Sequence, residues 1–430
     1  MIFKLKIFWA LLILFVHFSF AGGLDNNNAF GTRTFSLDGL YFAGSPGLGS
    51  ILSNPAGLNF LNGKAFELSL LDKIEENNFK SDSRGIYKSF REENFSIGGG
   101  LYWSISEELT LGLGYFPLVD YQIDWPFVVL RTTDTSSAVL PLSMTNDLEI
   151  ISIVPSAAFK LGSFYFGVSA NIYQINHKIS FPINNENWGQ NPGLAVYQFD
   201  YNLDTWTFGG TIGVMYDINE NLRVGFIAKS GINAEIKGDA ESKIFSDLDS
   251  ASSKTNTATK IAIPWKFGFG FLYKINDDTF LNLDAAYSLY GSDNEMLNFT
   301  YDNPRWVNRA VKLDSLIGFS ANSIPIGSRN TIDLGIGVEH ISDGGLIYRA
   351  GYRFSQSSNT SAAFSFLFPT VDQNTFTIGL GYKDENLTID AGIAYTIGFT
   401  KNVGIDENKF LFGKYSADGY IPSLTLRYNL

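Results

Sequence analysis

The stretch Leu222-Arg223-Val224-Gly225-Phe226-Ile227-Ala228-Lys229 puts Leu, Val, Phe and Ala at its even positions and Arg, Gly, Ile and Lys at its odd ones. Successive side chains of a strand point to opposite faces, so a period of two reads as a strand with one apolar and one polar face. Continuing the parity puts Ile232, Ala234 and Ile236 with the outward set, and Gly231, Asn233 and Glu235 with the inward one. The pattern recurs. Trp265, Phe267, Phe269, Phe271 and Tyr273 alternate with Lys266, Gly268, Gly270 and Lys274. Ile332, Leu334, Ile336 and Val338 alternate with Asp333, Gly335, Gly337 and Glu339. Strands of soluble sandwiches average about five or six residues, and several of these runs approach the roughly 9 to 11 that a tilted membrane strand needs. A sheet in a bilayer must also close on itself, because no backbone edge can face hydrocarbon. The expected fold class is all-β: a transmembrane antiparallel β-barrel.

About fourteen such segments follow one another, starting near 64, 93, 109, 147, 164, 206, 222, 262, 279, 330, 346, 375, 386 and 420. Connections at 105–108, 162–163, 218–221, 276–278, 342–345 and 384–385 have the length of turns. Those at 73–92, 121–146, 181–205, 237–261, 291–329, 355–374 and 399–419 are long. Outer-membrane barrels show this alternation of short periplasmic turns and long extracellular loops, with an even strand number. The chain closes on Leu424, Leu426, Tyr428 and Leu430 alternating with Ser423, Thr425, Arg427 and Asn429, a terminal strand similar to the signal read by the barrel-assembly machinery. Trp103, Trp125, Trp206, Trp265 and Tyr428 stand near strand ends, where an aromatic girdle is expected.

Residues 1–21 read as a secretory signal peptide: Lys4 and Lys6, an apolar core from Ile7 to Val16, and Ser19-Phe20-Ala21 as the cleavage site. Residues 64–430 are the expected barrel. Between them, 22–63 are rich in Gly, Asn and Ser yet carry Phe30, Phe35, Leu37, Leu40, Tyr41, Phe42, Leu48, Ile51 and Leu52. That is too much apolar surface to leave in water. A plug folded into the barrel would bury it, and the inward glycines Gly98, Gly112, Gly114, Gly209, Gly213 and Gly225 would leave room.

Composition narrows the function. The absence of cysteine excludes disulfides and thiolate metal sites. A net charge of −12 argues against a nucleic-acid partner. Beyond the signal peptide the only histidines are His177 and His340, and no Ser/His/acid constellation accompanies them. No phosphate-cradling glycine loop precedes a helix. Neither an enzyme nor a cofactor or metal site is expected.

Asn54-Pro55-Ala56-Gly57-Leu58 ahead of the first strand resembles the hatch signature of the FadL/TodX family of outer-membrane transporters for long-chain fatty acids and other hydrophobic compounds. Trp206-Thr207-Phe208-Gly209-Gly210 through Lys229-Ser230 to Lys237-Gly238 is similar to the family's central hairpin. Ala262-Ile263-Pro264-Trp265-Lys266, Arg349-Ala350-Gly351 and the hairpin Phe376 to Tyr395 resemble later parts. The resemblance implies a monomeric barrel of fourteen strands closed by an N-terminal hatch, with ligand caught by extracellular loops. The ligand would then pass to a lumen pocket, and hatch movement with a kink in the third strand would open a sideways exit into the membrane, whose lipid and lipopolysaccharide surround the barrel.

Carried onto this chain, Asn54, Pro55 and Ala56 are the hatch residues. Gly112, Gly114 and Pro117 mark the lateral gap, since Pro removes a ladder donor and Gly weakens pairing. Lys229 matches a family Arg and, with Arg349, Arg353 and Lys178, is a candidate for the ligand head group, because a buried carboxylate must be paired. The chain also departs from the family. Loop 181–205 is short, 237–261 is largely Ser, Thr, Lys and Asp, and Ser355-Gln356-Ser357-Ser358-Asn359 replaces an acidic, proline-bearing turn. The rival reading is a PorV-like scaffold or shuttle in protein secretion, whose loops rather than lumen would carry the function.

Overall fold

The computed structural model describes residues 30–45, 47–81, 85–90, 92–132, 137–184, 196–245, 252–290, 296–304, 306, 322–327, 329–408 and 412–430. The signal peptide expected at 1–21 lies outside them, as do parts of the loops at 181–205 and 237–261. Each alternating segment is a strand. They run β1 Lys64–Ser81, β2 Glu92–Ser104, β3 Leu109–Thr132, β4 Ser137–Leu161, β5 Phe164–Asn184 and β6 Val196–Asn219. Strand β7 comes in two parts, Leu222–Lys229 and Ile232–Phe245, and β8 likewise, Ser252–Ile263 and Trp265–Asn276. The rest are β9 Thr279–Leu289, β10 Thr331–Ile341, β11 Leu346–Ser355, β12 Gln373–Lys383, β13 Leu387–Gly398 and β14 Gly413–Asn429.

Every strand pairs antiparallel with its chain neighbours, and β1 closes on β14 from Ala65↔Asn429 to Lys80↔Lys414. The result is a closed barrel of 14 strands. Closure leaves no edge, which a bilayer requires. The outward residues form the lipid-facing band: Leu111, Leu113 and Tyr115 on β3, Phe269 and Phe271 on β8, Ile378 and Leu380 on β12 are exposed. Trp103, Trp206, Trp265 and Tyr428 face outward as a girdle would. Trp125 does not. It is buried on the lumen side, where its indole Nε1 donates to the Phe366 carbonyl at 2.8 Å.

Two other expectations change. Strands β3 to β6 have 24, 25, 21 and 24 residues, so much of 121–146, expected as loop, is paired strand standing above the lipid band. Continuing the hairpin satisfies backbone groups that a loop would leave to water. Parity also reverses within β7. Ile227 and Lys229 point inward below Gly231, but above it Ile232, Ala234 and Ile236 are buried while Asn233 and Glu235 are exposed. The outward assignment of those three apolar residues, and the inward one of Asn233 and Glu235, are therefore corrected. One extra residue in a strand turns every later side chain to the other face.

The segment before β1 fills the lumen as helix α1 Thr32–Leu37, helix α2 Ser50–Ser53 and a 3₁₀ turn Pro55–Phe60. Its apolar side chains Phe30, Phe35, Leu37, Leu40, Phe42, Leu48 and Ile51 are buried, as expected of a plug. The wall glycines accommodate it: a side chain at Gly98 would strike the Phe30 ring, at Gly112 would press on Ile51, at Gly213 would strike Asn54, and at Gly225 the Phe42 carbonyl. Gly114 and Gly209 face other wall residues instead.

Candidate functional site

The lumen has a floor, a roof and two unlike walls. The floor is the plug, and its Asn54-Pro55-Ala56 turn is tied down by the Asn54 side chain. That amide donates to the Phe42 carbonyl at 2.7 Å and accepts from Ala56 N at 3.1 Å, with Pro55 beginning the 3₁₀ turn. Proline suits that place because the first turn needs no N–H from it. Ala56 packs with Tyr165 and Met215.

The roof is the β11–β12 connection. It folds inward and places Phe364, Leu367 and Phe368 in the core. Across the mouth, Trp125 Nε1 holds Phe366 O at 2.8 Å, and both Tyr121 Oη (3.3 Å) and Asn146 Nδ2 (2.8 Å) hold Leu367 O. His177 meets Asn146 Oδ1 at 2.7 Å. The Ser-rich turn that replaces the family's acidic one is part of this roof: Asn359 donates to Ile326 O at 2.6 Å and Phe368 O at 3.1 Å.

One wall, β3 to β7, is apolar. Phe116, Leu118, Ile150, Tyr173, Ile175 and Ile232 belong to a single cluster that includes Phe30 and Ile51 of the plug and Phe368 of the roof. This wall adjoins an opening in the ladder. Pairing of β2 with β3 ends at Gly99↔Tyr115, and β3 carries an irregularity between Pro117 and Val119 in its pairing with β4. Phe30 of the plug sits at this place, its ring 4.6 Å from Phe116. Of the residues expected at the gap, Pro117 lies at the irregularity, whereas Gly112 and Gly114 lie lower, within the paired ladder.

The stretch of wall from Lys229 of β7 round to β11 is charged. Lys229 and Lys266 are opposite one another in the β7–β8 register, and both are buried. Lys266 Nζ lies 3.7 Å from Asp333. Arg353 is 7% exposed, its Nε has no hydrogen-bond partner among the described residues, and Asp333 and Asp38 are the carboxylates that influence it. A buried guanidinium nitrogen without a hydrogen bond is costly, which makes Arg353 a candidate to meet an acidic head group. Arg349 is committed elsewhere. Its Nε donates to Glu339 and its Nη1 to Asp390, both at 2.6 Å. Lys178 is on the outer surface, its side chain 65% exposed beside Asp147 at 3.7 Å. Of the four expected head-group cations, the fold brings Lys229 and Arg353 to the lumen with Lys266, and removes Lys178 from it. Lys266 is a further lumen cation whose inward parity is visible in the sequence.

The sequence from residue 38 to residue 430 matches the family described as outer membrane protein transport protein (OMPP1/FadL/TodX). The Long-chain fatty acid transport protein of Salmonella typhi is 22% identical over 287 residues, 62% of this chain and 63% of that protein. This chain thus spans just under two thirds of that relative. Among solved structures, a Pseudomonas aeruginosa FadL homologue superposes with a TM-score of 0.74 at 16% identity, over 96% of this chain and 100% of that one. The P. putida toluene transporter TodX gives 0.76 at 16% identity, over 94% and 99%. The chain belongs to the OMPP1/FadL/TodX family of outer membrane transport proteins.

Proposed function

We propose that this barrel is a passive outer-membrane channel for long-chain fatty acids or other hydrophobic compounds. The observation that carries the reading is the single apolar cluster running from the roof, along β3 to β7, to the plug. Such a surface desolvates an apolar chain, and the few cations beside it give an acidic head group a place to pair. In this reading ligand enters under the β11–β12 roof and lays its tail on the apolar wall, with its head toward Lys229, Lys266 and Arg353. The plug then yields around Asn54, Pro55 and Ala56, and the tail leaves sideways above Gly112 and Gly114 at Pro117. Partition into the membrane drives the passage, so no nucleotide is needed. Its partners are the hydrophobic ligand and the surrounding lipid and lipopolysaccharide. A secretion scaffold gains nothing from a loop turned inward to cap the lumen, which favours transport over a PorV-like role.

Equilibrium binding of a labelled long-chain fatty acid to the detergent-solubilised protein, competed with aromatic hydrocarbons, tests this. Saturable binding, weakened for the acid but not the hydrocarbons by Lys229→Ala or Arg353→Ala, is expected. No saturable binding to a folded barrel would overturn the reading and move the scaffold role to first place.

A further inference from the structure

A second opening in the barrel wall lies between β6 and β7, on the far edge of the apolar wall. Below, the last pair is Thr211↔Lys229, and above, pairing resumes at Asp204↔Lys237. Between them, residues 205–210 face residues 230–236 without ladder pairs. Only Gly210 and Ser230 join across, through Ser230 N to Gly210 O and Gly210 N to Ser230 Oγ, each 2.9 Å. Both sides are held from behind. Trp206, Thr207 and Phe208 pair with β5, and Ile232 to Ile236 pair with β8. The longer side of the seam is β7, and this is where its faces reverse. Strand β8 reverses at the same level, at Pro264, which has no N–H to give.

The seam joins lipid to the lumen's apolar wall. On the outside, Trp206 is 53% and Phe208 72% exposed. On the inside, Tyr173, Ile232, Ala234 and Ile236 belong to the cluster that lines the lumen. Gly209 lies between them, where a side chain would meet Ser230, Tyr173 and Ile232. Thr205, Thr207 and Ser230 are the polar residues of the lower seam, and the one charged residue of 205–210 and 230–236, Glu235, is exposed and paired with Lys237. Ladder breaks at membrane depth are tolerated only against protein or a cavity. The β2–β3 opening bounds the same panel on its other edge, so β3 to β6 is released on both sides at this height.

We propose that the β6–β7 seam is a second lateral portal, through which uncharged hydrophobic molecules dissolved in the outer leaflet enter the lumen from the membrane without crossing the roof. It rests on the reading of the lumen as a site for hydrophobic ligands and adds an entrance to it. Molecules too insoluble to reach the loops from water would use it.

The chain has no cysteine, so a Gly209→Cys/Ile232→Cys pair can be closed and reopened in one protein. In liposomes carrying a diazirine-bearing alkane, light would label the plug peptide containing Ile51 and Leu52, and mass spectrometry would read it. Oxidation is expected to lower that labelling about fivefold or more, with recovery on reduction, as for a closed gate. Gly209→Trp, checked for folding by its heat-dependent migration on gels, should lower it similarly. Unchanged labelling in the oxidised pair and in folded Gly209→Trp, with fatty-acid binding from water retained, overturns the portal alone. No labelling of the wild-type or reduced plug overturns both the portal and the hydrophobe-binding lumen.

Discussion

Arg33 of the plug grips Glu339 of β10 with two hydrogen bonds, Nε to Oε2 at 2.8 Å and Nη2 to Oε1 at 2.6 Å. Arg349 holds the same carboxylate from the wall side at 2.6 Å and reaches on to Asp390. A second tie lies where the barrel closes: Arg427 holds Glu67 at 2.7 Å, and the same Glu67 oxygen accepts from Leu48 N of the plug at 3.2 Å. The plug is thus latched to the wall by directional charge contacts in addition to its apolar packing.

Removing the shared carboxylate should cost more than removing one grip. Glu339→Ala would leave Arg33 and Arg349 facing each other without it, and breaking a buried pair this way costs roughly 3–5 kcal/mol. Arg33→Ala leaves Glu339 still paired with Arg349 and should cost clearly less. Thermal unfolding in detergent gives the order of the two. In planar bilayers Arg33→Ala is expected to show brief conductance openings that are rarer in wild type. Identical traces would mean that the grip does not restrain the plug.

The plug is also pH-sensitive at Asp38. Its Oδ1 accepts from Leu40 N and its Oδ2 from Asn282 Nδ2, both at 2.8 Å, and Asn282 also holds Asp284, which accepts from Phe42 N. Arg353 faces the group from β11. Burial pushes the Asp38 carboxyl up to about 6, against the partial relief of its hydrogen bonds. The folded value lies above the roughly 3.9 of a free Asp, so the fold favours the protonated acid. That contribution is complete below about pH 4 and is lost as pH rises through about 6. Asp38→Asn should therefore raise the melting temperature at pH 8 and leave it nearly unchanged at pH 4. Melting curves at the two values decide it. A variant less stable than wild type at pH 8 would contradict the assignment.

Much of this was legible in the chain. Alternation gave the strands below the lipid boundary, and glycine spacing on the wall gave room for the plug. The reversal of β7 was not legible, because both halves alternate cleanly and the surplus residue at Ser230-Gly231 shows only when a partner strand is laid beside it. Trp125 looked like girdle because aromatic residues near strand ends suit either face. Lys178 carried a usable signal: Ile175, His177 and Ile179 are buried on one face of β5, which puts Lys178 on the other. The roof was hidden by its Ser-rich beginning, although Phe364, Phe366 and Phe368 at every second position are hard to reconcile with a solvated loop.

Asn146 is the place to loosen the roof. It joins β4 to the roof through Leu367 O and to His177 through its own carbonyl oxygen. Asn146→Leu keeps the volume near constant but strands the buried His177 Nε2, at about 1–3 kcal/mol, and leaves Leu367 O with Tyr121 Oη alone. If the roof gates entry from water, stopped-flow mixing with a fluorescent fatty acid should show faster association, while the affinity changes less. A slower or unchanged association rate in a folded variant would mean that ligand does not pass under this loop.

Asn54 and Gly213 form a pair whose coupling can be measured. The Asn54 amide is fully buried and is bonded to Phe42 O and Ala56 N, and a side chain at position 213 would occupy the place of its Oδ1. Asn54→Ala alone removes both bonds and leaves a buried carbonyl unpaired, for about 1–3 kcal/mol. Gly213→Ala alone drives the amide out of its seat, with the same losses plus the displacement of Pro55, which also borders that glycine. In the double variant the collision is gone, because Ala at 54 has no amide to displace. Its destabilisation should therefore fall short of the sum of the single effects by roughly 0.5–3 kcal/mol, the range for residues in direct contact. Unfolding free energies of the four proteins in urea close the cycle. Strict additivity would mean that the hatch turn can reseat without Asn54 touching the wall at Gly213, and its role in holding the plug would fall with that result.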